Sequence, residues 1–398
     1  MKNLEKIRLD FPILSEKIED HSLIYFDNAA TAQMPKVAID AITAYYKTYK
    51  SNVDRGLYNF AEKTTLQYEQ AREKIAEFIG AQSSELVFTS GATDGINMVA
   101  RIWAAHNLQA GDEIIISQVE HHSNFLPWQH LAEEKNLILT ILPIDSNGLL
   151  DMMTYYAALS ERTKLVAIVH SSNILGTTND VGSIVAAAHQ VGAKVLVDAA
   201  QSVAHQKVDV LELACDFLVF SGHKLYGPTG IGCLFVKKDI QPQCYPNKFG
   251  GSMVYSAGYE ESYWKNAPYC FEAGTPPIAQ AIGLGAVIDY LKNNVDFNQV
   301  TTHEDALVVR TIAGLQDLGF NILSSASSGH LVSFYDKEVH GHDIAMYLNS
   351  YGIAVRAGNH CVQPYHEKLG LESTVRVSFA FYNTMAEVEK FLVVMASL

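Results

Sequence analysis

Positive charge is scarce in this chain. Its 398 residues hold 29 Lys and Arg against 43 Asp and Glu, a net charge of -14 with histidine neutral. So acidic a surface repels phosphate backbones and argues against nucleic acid as a partner. Cysteine is scarce too: there are five, at positions 215, 233, 244, 270 and 361, with no C-x-x-C pair. Neither a zinc knuckle nor a disulfide scaffold follows from that odd count, and no metal site is expected. No run approaches the ~18 apolar residues of a membrane helix. The start, Met1-Lys2-Asn3-Leu4-Glu5-Lys6, lacks the apolar stretch of a secretion signal. Repeats, low-complexity tracts and long Pro/Gly/Ser linkers are missing as well. What is present is 48% hydrophobic and only 18% charged residues, enough to bury a large core in two or three packed domains. These features point to a soluble, cytoplasmic protein with reduced thiols.

Helical and strand patterns alternate along most of the chain. Residues 63–80 carry Leu66, Tyr68, Ala71, Ile75, Phe78 and Ile79 at helical spacing and stop at Gly80. Apolar runs at 85–89, 114–117, 138–142, 165–169, 195–197 and 217–220 read as buried strands. Such runs separated by helices predict a mainly parallel sheet covered on both faces, with ligands at the carboxyl ends of its strands. After residue 275 the pattern changes. A long helix from Ile278 to Leu291, short strands at 330–335 and 374–379, and helices at 341–351 and 385–396 read as a smaller α+β domain. The expected division is a large domain over 21–275 and a small one from 1–20 and 276–398.

Five clusters could carry chemistry. Ser90-Gly91-Ala92-Thr93-Asp94-Gly95 follows a strand and opens a helix, where free N–H groups suit a phosphate; by itself it reads better as a plain turn capped by Thr93 or Asp94. Glu120-His121-His122-Ser123-Asn124 holds two adjacent imidazoles, too close in sequence to share a helix face as metal ligands. They read as polar loop residues, or one lies flat on an aromatic ligand. Asp198 ends an apolar strand and faces the strand-end crevice, or caps a helix. Ser221-Gly222-His223-Lys224-Leu225-Tyr226-Gly227-Pro228 places Lys224 just after another such strand. A lysine partly removed from water has the lowered pKa that an imine-forming amine needs. Finally, Arg356-Ala357-Gly358-Asn359-His360-Cys361 reads as a polar loop, an unusual place for a packing cysteine. Arg356 and His360 would favour a thiolate at Cys361 if their side chains reach it. The other four cysteines read as packing residues. Arg376, on a strand among apolar neighbours, suits a bidentate grip on a carboxylate, or a structural ion pair. A lysine, an aspartate, a histidine and a glycine turn, in that arrangement of strand ends, are together the parts of a pyridoxal phosphate (PLP) site.

With these clusters in place, the chain resembles the SUF-type cysteine desulfurases, class V members of the fold-type I PLP transferases. The resemblance runs over essentially the whole length. It is carried by the clusters above and by Tyr25-Phe26-Asp27-Asn28-Ala29-Ala30-Thr31, Ser171-Ser172-Asn173-Ile174-Leu175-Gly176-Thr177 and Phe271-Glu272-Ala273-Gly274-Thr275-Pro276. It implies an α/β large domain with a mainly parallel seven-stranded sheet and a smaller α+β domain carrying the Cys361 loop. It implies that Lys224 bonds PLP, Asp198 holds the ring nitrogen's proton, Gln201 bonds the ring hydroxyl and His121 stacks on the ring. Thr93, Ser221 and His223 would bind phosphate, with Thr275 reaching in from the other subunit of a homodimer. Asn173 and Arg376 would hold the carboxylate of L-cysteine, with Arg356 near the substrate and Cys361 accepting the sulfur. Ala92, where Thr is usual, removes one phosphate hydroxyl; Asp54 and Asn359 stand where histidine is common.

The resemblance further implies alanine as product and a Cys361 persulfide passed to an acceptor protein of SufU or SufE type for Fe–S cluster assembly. His340 and His342 resemble a segment through which a zinc-bearing acceptor is engaged; a turn with an Asp343 helix cap is the plainer reading. The competing expectations are a selenocysteine lyase or another class V activity such as an aminotransferase, and a non-catalytic assembly scaffold.

Overall fold

The computed structural model describes residues 4–18, 20–325 and 329–398. Its largest sheet has seven strands: β1 Leu86–Thr89, β2 Glu113–Ser117, β3 Ile138–Leu142, β4 Thr163–Val169, β5 Lys194–Asp198, β6 Phe217–Ser221 and β7 Gly232–Val236. Their spatial order is β1-β7-β6-β5-β4-β2-β3. β2 to β6 run parallel where they pair, whereas β7 is antiparallel to both β1 and β6. The chain therefore turns straight back from β6 into β7 after the Lys224 turn instead of crossing over through a helix. β2, β6 and β7 are buried along their whole length, which fits the continuous apolar run at the centre of each. β3 lies at the edge, with Ile138 and Ile141 exposed.

Helices cover both faces. On one face, α1 Asn59–Phe78 buries Ala61, Thr64, Tyr68, Ala71, Ile75 and Ala76, a stripe at three- and four-residue spacing. It ends where Gly80 takes φ +73°, as the sequence stop at Gly80 predicts. α2 Ile278–Asn294 packs beside it in the same apolar cluster, together with Ile7, Phe11 and Leu14. The helix and the N-terminal residues, expected with the smaller domain, thus contribute to the core of the large sheet.

The smaller domain is built on a four-stranded antiparallel sheet of β8 Asn321–Ile322, β9 Leu331–Tyr335, β10 Arg356–Gly358 and β11 Thr374–Ser378, in the order β8-β9-β11-β10. Arg356-Ala357-Gly358, read from sequence as loop, is a strand because it pairs with β11. A 21-residue helix, α3 Phe297–Asp317, was not singled out from the sequence. Its buried Val300, Glu304, Leu307, Val308, Thr311, Ile312 and Leu315 do follow helical spacing. Residues 24–32 bridge the two sheets. Ile24 and Tyr25 pair with Ile353 and Ala354, Phe26 enters the small domain's core, and Ala32 N donates to His223 O of the Lys224 turn at 2.9 Å.

Candidate active site

A cavity of about 400 Å³ opens between the two domains at the carboxyl ends of β4, β5 and β6. Thr93, His121, Asn173, Asp198, Gln201, Ser221, His223, Lys224, Arg356, Cys361 and Arg376 all line it. Of the residues expected at the site, Thr275 alone lies elsewhere. It borders a separate cavity of about 360 Å³ with Ser90, Asp94 and Lys248, and its Oγ1 accepts from Asn52 Nδ2 at 3.4 Å.

Lys224 ends a short turn held by Gly222, whose N–H donates to Ile231 O and whose carbonyl accepts from Gly227 N. Burial pulls the Lys224 amine below its ordinary pKa, and the charge of Asp198 works against that pull. Asp198 is buried, which raises its carboxyl; Lys224 and a bond from Ala200 N at 3.0 Å oppose the rise. Among the described residues no hydrogen bond or ion pair occupies Lys224 Nζ. A buried amine and a buried carboxyl with spare bonding capacity, flanking one cavity, fit a cationic ring heterocycle that bonds the amine. The phosphate end fits as well. The helix Ala92–Val99, which follows the glycine turn, points its start at the cavity. Neither Thr93 nor Asp94 caps that helix; Gly91 is the cap residue and gives no side-chain bond. Ala92 N donates to Ser221 Oγ at 2.8 Å, and Thr93 Oγ1 meets Ser123 Oγ at 2.7 Å. Gly232 allows this crowding, since a Cβ there would lie 2.5 Å from Gly91 Cα.

His121 Nδ1 is tied to Ser123 N at 3.1 Å and Ser123 Oγ at 3.0 Å. Burial brings its pKa down to about 3, so the ring is neutral and suited to lie against a flat ligand. Gln201 Nε2 donates to Ala29 O at 2.9 Å, which fixes the Asn28–Thr31 segment beside the cavity. Glu120 is buried beneath the two histidines and accepts from Ser117 Oγ, Val169 N and Asn124 Nδ2. It anchors the loop, a role visible in sequence only as an acid next to two histidines.

On the opposite wall, Arg376 is buried and donates to Asn173 O at 2.8 Å; its Nε has no partner. The Nε is shut off from the cavity, but the residue lines it, and a guanidinium there suits a substrate carboxylate. Arg356 and Arg376 share a carboxylate that sequence reading left without a role, Asp27. Asn173 Nδ2 donates to His360 O at 2.7 Å and so holds the cysteine loop.

Cys361 is the exposed cysteine; Cys215, Cys233 and Cys270 are buried and Cys244 partly so. Burial pushes the Cys215 and Cys244 thiols up to about 12 and Cys270 to about 11. Lys224, Arg356 and Arg376 are within electrostatic reach of the Cys361 sulfur. His360 adds no charge, contrary to the sequence expectation. It is buried, its Nε2 meets Thr374 O, and desolvation lowers its pKa to about 2. His360 and Cys361 take φ of +48° and +59°, left-handed conformations costing about 1–2 kcal/mol each without outside contacts. On helix Gly341–Asn349 it is His340, rather than Asp343, that caps, its Nδ1 accepting from His342 N at 3.3 Å. His342 is exposed and flanks Gly358 of β10.

A two-domain α/β protein with a desolvated amine and carboxyl facing an exposed thiol across one cleft has the make-up of an enzyme active site. The chain belongs to the aminotransferase class-V family, whose family model matches residues 24–391. It is 45% identical over 389 residues to a probable cysteine desulfurase of Halalkalibacterium halodurans, covering 97% of this chain and 96% of that one. The apo structure of a cysteine desulfurase from Thermococcus onnurineus superposes with a TM-score of 0.95 at 39% identity, covering 100% and 98% of the two chains. The cysteine desulfurase CsdA of Escherichia coli, solved in an S-sulfonic acid form, gives 0.92 at 36% identity, with coverage of 100% and 98%.

Proposed function

We infer that the chain is a PLP-dependent cysteine desulfurase that converts L-cysteine to L-alanine and keeps the sulfur as a persulfide on Cys361. The observation that carries this reading is one cavity wall holding Lys224 and Asp198 and another holding Cys361. PLP bound there supplies an electron sink for charge developing at the substrate Cα. Asp198, buried at the end of β5, would hold the proton on the ring nitrogen and so keep that sink effective. Lys224, its amine made less basic by burial, takes the Cα proton and returns one. Arg376 lines the cavity and would hold the substrate carboxylate through its guanidinium, with Asn173 beside it. The Cys361 sulfur attacks the substrate sulfur. A S–S bond forms, the Cβ–S bond breaks, and its electron pair returns to the carbon skeleton that leaves, protonated, as alanine.

The finer features of the reading are a homodimer, a SUF-type role in Fe–S cluster assembly in the cytoplasm, and a SufU- or SufE-type acceptor. The displaced position of Thr275 supports the dimer, as do Leu57, Tyr58 and Phe60, large apolar side chains exposed near Asn52. The exposure of His342 beside β10 supports a zinc-bearing acceptor docking at the Cys361 loop. Zinc-dependent stimulation by such an acceptor is expected to vanish in His342→Ala.

The test is mass spectrometry of the holoenzyme after cysteine treatment, which should find one added sulfur on the peptide holding Cys361. Cys361→Ala should bind PLP and cysteine and make little alanine, whereas Lys224→Ala should lose the borohydride-reducible link to PLP. Ordinary alanine turnover by Cys361→Ala would reject the reading.

A further inference from the structure

His121 and His122 are neighbours that face different parts of the site. His121 lines the cavity beside Lys224. His122 turns the other way, toward the cysteine loop, and grips it at two points. Its backbone N–H donates to Cys361 O at 2.8 Å, and its Nε2 accepts from Gln363 N at 3.2 Å. The two contacts bracket Val362, the residue directly after Cys361.

The second contact has a clear physical purpose. Gln363 opens the helix Gln363–Leu369, whose cap residue Val362 supplies no side-chain bond. The first N–H groups of a helix have no partner inside it. His122 supplies the missing acceptor from a different segment of the chain. The ring proton must then sit on Nδ1, which requires a neutral imidazole. Burial favours that form by lowering the His122 pKa.

The loop needs such ties. His360 and Cys361 both adopt left-handed backbone, which side-chain-bearing residues avoid unless held. Asn173 holds the His360 carbonyl, and His122 holds the Cys361 carbonyl and the helix beyond. His122 itself sits on the loop anchored by Glu120 and Asn124. A continuous set of contacts thus runs from the cofactor side of the cavity to the thiol.

We propose that His122 is a positioning residue that caps the helix after Cys361 and so holds the thiol where it meets the substrate sulfur. The proposal rests on Cys361 as sulfur acceptor, but its structural half does not. Substitution should loosen the loop without touching the cavity wall that binds cofactor and substrate carboxylate.

The experiment uses holoenzyme of the wild type, His122→Ala and His122→Gln. Hydrogen exchange of the peptide spanning 357–366 and the rate of Cys361 alkylation report the loop; single-turnover persulfide formation reports the chemistry. In His122→Ala, loop protection should fall, alkylation should quicken, and persulfide formation should slow roughly tenfold or more with KM for cysteine little changed. His122→Gln, whose side-chain oxygen can accept from Gln363 N, should recover part of both. Unchanged exchange and alkylation in His122→Ala would overturn the latch. A loosened loop with persulfide formed at the wild-type rate would overturn its role in positioning. Wild-type enzyme that forms no persulfide on Cys361 would defeat the proposed function and this role with it, a result separable from the exchange data.

Discussion

Asp27 grips Arg356 with both carboxylate oxygens. Arg356 Nε lies 3.0 Å from Oδ1, and Nη2 lies 2.8 Å from Oδ2. The same Oδ1 is 3.5 Å from Nη2 of the buried Arg376. One carboxylate is therefore shared by the two guanidinium groups that line the substrate cavity, and it offsets only half of their charge. Such a fork is the geometry a substrate carboxylate would adopt on arginine. Asp27 is thus both an orienting partner and a competitor for the same donors.

This relationship predicts how anions act on the enzyme. Removing the charge in Asp27→Asn leaves two arginines without a counter-ion. Inhibition by acetate or chloride should strengthen by about two- to tenfold, corresponding to about 0.4–1.4 kcal/mol for a partly exposed pair. Titrating steady-state turnover with each anion measures it. Equal inhibition of the two proteins would show that Asp27 does not compete for these guanidiniums.

Glu272 makes a second prediction, about stability. It binds Arg72 through bonds of 2.6 and 2.8 Å and accepts from Phe88 N at 2.7 Å. Arg72 is 1% exposed and lies over the Phe88 ring. The pair fastens the segment carrying Thr275 to α1 and β1. Glu272→Ala leaves a buried guanidinium without its main partner and should cost about 3–5 kcal/mol. Denaturant unfolding measures this, and a loss below about 1 kcal/mol would mean that Glu69 and water replace the carboxylate.

The pH dependence follows from buried histidines. His121, His122, His170, His223, His330, His360 and His366 all have pKa values lowered mainly by burial. In the unfolded chain they take up protons near pH 6.5, while in the fold they stay neutral to lower pH. Their contribution is complete above pH 6.5 and is lost as the pH falls, by up to about 1.4 kcal/mol per unit for a fully buried group. Glu120, Asp198, Glu304 and Asp305 have raised values and act in the opposite sense over part of the window. The histidines outnumber them, so apoprotein stability should drop between pH 6.5 and 4.5. Denaturant midpoints at pH 7, 6 and 5 measure this; a flat or rising series would contradict it.

The buried strands were legible because a strand covered on both faces has an apolar centre, and β4, β5 and β6 carry one beside polar residues at one end or both. Lys224 and Asp198 each had a plain reading alone, a loop lysine and a helix cap; their order along the strand ends with His121 and the glycine turn pointed to one site, and all three line the cavity. The helix α3 carries an equally regular stripe and was open to the same reading. The direction of β7 was not legible, since an apolar run has the same composition whichever way it pairs. Nor was β10, whose Arg-Ala-Gly becomes a strand only because β11 offers it an edge.

The sequence by itself determined the kinds of group available: a lysine and an aspartate at strand ends, an arginine on an apolar strand, and one cysteine in a polar segment. Local chemistry and periodicity suffice for that, because they depend on neighbours along the chain. The tertiary structure decided which groups act on which. It made His360 neutral by burying it, set Asp27 between two arginines, turned His122 toward Cys361 and left Thr275 outside the cavity. These are relations between residues up to hundreds of positions apart. Their energies depend on distance and desolvation, which exist only once the two sheets have packed.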